Sequence, residues 1–81
     1  MNNMQNQAQA GDAMIDSKNL TILEDQMNTE ALNYKKLDMY SQTCSDQQLK
    51  DVFTKAAQLH KQHFDMLLNY LNSHNKPVQQ Q

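Results

Sequence analysis

The stretch TCSDQQL, residues 43–49, decides how this chain folds. Ser45 followed three residues later by Gln48 is a capping-box pattern, in which the serine oxygen accepts from the Gln48 amide and the Gln48 side chain reaches back. A helix therefore starts here, at about Asp46. The residues on either side carry helical periodicity, so a connection of a few residues has to turn one helix back along the other as an antiparallel hairpin.

Working back from the turn, Leu20, Leu23, Met27, Glu30, Tyr34, Leu37 and Ser41 are spaced by alternating threes and fours, with Ala31 and Tyr40 widening the stripe. That is one face of a helix over about 17–43, with Asp16 or Ser17 as its cap. Working forward, Leu49, Val52 or Phe53, Ala56, His60, His63, Leu67, Leu71 and His74 repeat the pattern over 46–74, widened by Phe64 and Leu68. Between the two ends lie roughly sixty residues without glycine or proline, the strongest punctuators of local structure. Ile15, Ile22, Val52 and Val78 are the only valines and isoleucines, so the β-branched enrichment of strands is missing.

The hairpin expected over 16–75 is flanked by two polar segments. Residues 1–15 are low in complexity and hold the only glycine, Gly11, which reads as a disordered arm. Residues 76–81 form a glutamine-rich tail after the only proline, Pro77.

Each helix spans about 40 Å at 1.5 Å per residue. Two such rods cover only one flank of each other, and the chain has 81 residues, 38% hydrophobic and no tryptophan. A domain this small buries only about 60% of its unfolded surface. The expectation is an all-α fold in which two hairpins pair as a homodimer, closing a four-helix bundle over the remaining apolar strips.

The charge pattern excludes several partners. All seven basic residues are lysines, scattered among acids, with a net charge of −2. Without arginine there is no bidentate reading of phosphate or guanine, so no nucleic acid is expected, and interleaved charge does not make a membrane patch. No apolar run approaches the ~20 residues that cross a bilayer. A lone cysteine, Cys44, and the lack of a secretory pattern point to an intracellular protein.

Glu30 falls on the first apolar stripe, and His60 and His63 on the second. Glu30 lies as far before the turn as His60 lies after it, roughly 21 to 23 Å, so the three should meet at mid-height. A buried carboxylate must be paired, protonated or bound to a metal. Two copies would gather two glutamates and four imidazoles, ligands suited to iron, zinc or manganese. The alternatives are a hydrogen-bonded polar layer that fixes dimer register and needs no cofactor, or histidines that face solvent. Tyr34 and Tyr40 read as core tyrosines with wet hydroxyls, Cys44 as an inert thiol, and His74 as a cation at a helix C-terminus. No nucleophile triad, phosphate loop or CxxC pair is present, which leaves no usual hydrolase, kinase or thiol oxidoreductase.

The segment Glu30-Ala31-Leu32-Asn33-Tyr34, with Asp46 to Phe53 and then Ala57 to His63 after the turn, resembles half of a ferritin-like, rubrerythrin-type bundle. The resemblance implies a metal site in which Glu30 matches the first-helix glutamate and His63 the histidine of a Glu-x-x-His pair. His60 stands where that family has a bridging carboxylate, which argues against a di-iron oxidase and for a mononuclear site or none. Small hairpins of this kind, with Asn/Gln/Met-rich ends, are similar to spore coat proteins of the coat protein F type. What that likeness implies is a structural component packed among other coat proteins, without demonstrated catalysis.

Overall fold

A computed structural model describes residues 14–74 of the chain. The expected arm (1–15) falls outside the described residues except for Met14 and Ile15, which are not helical, and the expected tail (76–81) falls outside them altogether. Two antiparallel helices make up the described fold, α1 (Ser17–Thr43) and α2 (Gln47–His74), packed along their length.

Local chemistry sets the ends of both helices. Asp16 caps α1, its carboxylate accepting from the Asn19 amide at 2.8 Å. At the other end the Cys44 N–H donates to the Tyr40 carbonyl. The cap of α2 corrects the sequence reading by one residue. Asp46, not Ser45, accepts from the Leu49 amide at 2.8 Å, and its carbonyl takes the Lys50 N–H. The capping box on Ser45 and Gln48 does not form, and α2 begins at Gln47. Aspartate caps as well as serine, and its negative charge also favours the positive end of the helix dipole. Asp46→Ala should therefore cost about 1 kcal/mol in denaturant unfolding while Ser45→Ala costs next to nothing. Equal losses would restore the serine cap.

The seam between the helices is thin. Met27 and Ala57 are the buried apolar residues, with Leu20, Leu23, Tyr34 and Leu37 of α1 and Phe53, Phe64, Leu67 and Leu71 of α2 half-buried around them. Near the turn the rings of Tyr40 and Phe53 sit 5.6 Å apart, tilted by 55°. At the open end the Ile15 N–H donates to the His74 carbonyl at 2.7 Å. That bond occupies one of the carbonyls a helix C-terminus leaves orphaned and ties the approach to α1 onto the end of α2.

The stripe expected on α2 is two rows. Ala57 is buried against α1, whereas Val52 and Leu49 stand exposed together with Leu59, Met66 and Tyr70. Among the described residues no helix is long and apolar enough to cross a membrane.

Candidate functional site

Glu30 is the buried polar residue of the hairpin, 8% exposed, on α1 one turn beyond Met27. Its position in the middle of the apolar stripe aims the carboxylate across the seam at α2. His60 Nδ1 lies 2.6 Å from Glu30 Oε1, and His63 Nδ1 lies 3.4 Å from the same oxygen. The two imidazoles are edge to face, with centroids 5.8 Å apart at 84°. Counting residues from the turn put Glu30 and His60 at one level with His63 one turn farther on, and the structure brings the three together there. Of the two histidines, His63 is the more open to solvent, its side chain 41% exposed against 28% for His60.

The fourth participant escaped the sequence reading. Gln26, one turn before Glu30, donates its side-chain N–H to Oε2 at 3.0 Å. The signal was present in the i, i+4 spacing of Gln26 and Glu30, which puts the two side chains on neighbouring turns of one face.

The His60 hydrogen bond is the largest influence holding the Glu30 carboxyl below its ordinary value. Burial pushes the other way, and the Gln26 hydrogen bond and the charges of His63 and His60 add to the lowering. At neutral pH the group is thus a carboxylate. An ionised carboxylate only accepts, so the Nδ1–H of His60 is the donor and its Nε2 is left for another partner.

The other sequence candidates lie elsewhere. Tyr34 lines a shallow recess of about 240 Å³ with Ala31, Phe64 and the stems of Lys35 and Lys61. Tyr40 packs near the turn with Phe53. Cys44 is free and half-buried. His74 stacks on Tyr70, with centroids 3.9 Å apart, and its Nδ1 sits 2.7 Å from Ser73 Oγ, so it takes no part in the cluster.

Over 77 residues the chain is 33% identical to "Uncharacterized protein YuzM" of Bacillus subtilis (strain 168), a match covering 95% of this chain and 90% of that protein. The chain belongs to the YuzM family. No family model matches it, and no solved structure does.

The donor set of this YuzM-family hairpin can be tested against a metal ion. One ligand atom each from Glu30, His60 and His63 falls within 4.8 Å of the others. Ligand atoms around tetrahedral zinc, at about 2.0 to 2.1 Å from the metal, stand roughly 3.3 Å from one another. The 3.4 Å between His63 and Glu30 already fits that spacing. The 2.6 Å between His60 and Glu30 is a hydrogen bond that must open slightly, with the Nδ1 proton displaced. Two imidazoles and a carboxylate are a common three-residue zinc set that leaves a fourth position open. The donor types suit a single divalent ion, and the spread of up to 4.8 Å among their ligand atoms would have to close for all three to bind it.

Proposed function

We propose that this YuzM-family chain is a structural, assembly protein: a helical hairpin that pairs with a second copy into a ferritin-like four-helix bundle and packs into a larger coat, that of the bacterial spore. One observation carries the pairing. Of the hairpin's apolar residues, Met27 and Ala57 are buried, while Ile22, Leu32, Leu49, Val52, Leu59 and Met66 are exposed. Leu49, Val52, Leu59 and Met66 share one row of α2, and an exposed apolar patch of that kind marks an interaction site. The coat reading is supported by the resemblance of the helical segments to coat protein F type hairpins and by the polar, amide-rich ends. Sedimentation across a dilution series tests it, with a mass of two chains expected down to low micromolar concentration. A stable folded monomer at that concentration would refute the pairing and with it the assembly role.

The Glu30 cluster favours a second reading, a metal-binding protein of redox or storage type. Glu30, His60 and His63 would hold the ion, and Gln26 would keep the carboxylate aimed. When bound, iron or manganese would supply redox chemistry, and zinc Lewis-acid chemistry. Because His60 replaces a carboxylate that bridges two metals in the resembled family, the set suits one ion per hairpin. Elemental analysis of protein purified without chelator or added metal is the check. Stoichiometric iron, zinc or manganese that disappears in His63→Ala would establish this reading over the purely structural one.

A further inference from the structure

From the exposed row of α2, we infer that a second copy packs α2 antiparallel to α2, centred near residue 61, so that it covers the open side of each Glu30–His60–His63 cluster. The inference rests on the pairing proposed above and specifies which helix meets which, and in what register.

The row has a strict seven-residue repeat. Leu49, Ala56, His63 and Tyr70 recur every seven positions, and Val52, Leu59, Met66 and Ser73 follow each by three. These are the a and d positions of a coiled-coil seam. Its large side chains are exposed in the hairpin, from 42% for Leu49 to 68% for Met66. At 100° per residue this seam lies roughly 90° around α2 from the row that meets α1, which holds Phe53, Ala57, His60 and Phe64. In a four-helix bundle each helix touches two neighbours about that far apart. One neighbour of α2 is α1, and the seam describes the second.

Residue sizes choose the partner and its direction. On the same side of the hairpin, the α1 row has exposed apolar residues only at its ends, Ile22 and Tyr40, while Gln26, Thr29, Asn33 and Lys36 between them would lose solvent without gaining partners if laid over an apolar seam. A second α2 in parallel register would set Ala56 on Ala56, leaving a void, and Tyr70 on Tyr70, crowding the next layers. Antiparallel pairing sets Leu49 on Ser73, Val52 on Tyr70, Ala56 on Met66 and Leu59 on His63. In each of the first three layers a smaller side chain meets a larger one, which is how facing positions interdigitate.

Charge and area agree with this choice. The outer flank of the seam is Gln48, Lys55, Gln62 and Asn69, so a single lysine per copy comes near the interface, opposite an amide. The exposed apolar side chains of the row offer on the order of 500 Å² per copy, and the flanking amides and half-buried Ala56 and His63 bring this toward the ~800 Å² per partner of a stable interface. Leu59 of the second copy then lies over His63, the most open member of the cluster. The two His63 residues are offset by four residues, about 6 Å along the axis. His63 is therefore screened from water only in the pair.

Spin labels read the register directly. In a Cys44→Ser background, Gln62→Cys and Asp51→Cys are labelled separately and the distance between copies is measured by dipolar electron resonance. Antiparallel pairing about residue 61 predicts a short distance at 62, under roughly 20 Å, and a long one at 51, about 30 Å or more from the twenty-residue axial offset. Equal distances at the two positions, expected for parallel α2 pairing or for α2 laid on α1 of the second copy, overturn the register while leaving the dimer standing. Labelled protein that sediments as a monomer and gives no dipolar signal, with unlabelled protein behaving likewise, overturns the pairing itself. Leu59→Lys should halve the sedimenting mass, and Met39→Lys, on the far face of α1, should leave it unchanged. The reverse pattern would place the interface on α1.

Discussion

Met27→Ala should lower the midpoint of thermal unfolding by roughly 10 °C or more. Truncating a buried methionine to alanine costs about 2–5 kcal/mol. Each kilocalorie shifts the midpoint of a domain this small by about 4–8 °C. Met27 is one of two buried apolar side chains in the hairpin, next to the buried carboxylate and beside Phe64 and Leu71 of α2. In a thin seam the neighbours have little other packing to fall back on, so the loss should sit toward the upper part of the range. Leu32→Ala is the control, since Leu32 is 57% exposed on the opposite face of α1. A change in Leu32→Ala as large as that in Met27→Ala, by calorimetry at equal concentration, would mean that the hairpin seam is not where stability resides.

The second large effect is a reversal. His60→Leu removes the 2.6 Å partner of a carboxylate that stays in the seam, and the hairpin should melt well below the parent. Replacing Glu30, His60 and His63 together by leucine should restore the midpoint to the parent value or above it. Breaking one half of a buried polar pair leaves an uncompensated group, while exchanging the whole set for apolar residues of similar volume is often neutral or stabilising. The single and triple changes are thus strongly non-additive, as expected for side chains in one network. Circular dichroism melts of metal-free protein decide the point. A triple variant less stable than His60→Leu would show that the polar layer contributes stability beyond its own satisfaction, and the register role would then carry more weight than packing.

Several features of the site were legible before any coordinates. The capping signal at 45–48 marked the turn, one residue short of where the structure puts it, because serine and aspartate are adjacent and both cap well. Once the turn is known, height along each rod follows from residue count alone, which is why Glu30 and His60 could be matched across 30 residues of sequence. Gln26 went unread because its i, i+4 spacing from Glu30, the one signal available, does not by itself say that the side chain will turn toward the carboxylate. The single stripe assigned to α2 is two rows, because apolar residues at both three- and four-residue spacing spread over more than one face, and the period does not say which face α1 will claim.

The sequence by itself determined that the chain makes two long helices with a capped turn between them, and that a carboxylate and an imidazole stand at one height with a second imidazole one turn beyond. Those outcomes depend on local backbone preferences and on the fixed rise of the helix. Only the tertiary structure decided that His60, and not His63, makes the short bond to Glu30, that Ala57 is the buried residue of α2, and that Leu49, Val52, Leu59, Met66 and Tyr70 are left uncovered. Rotation of each rod about its own axis settles all three, and that angle is set by side chains meeting across the seam, which no pattern along one chain specifies.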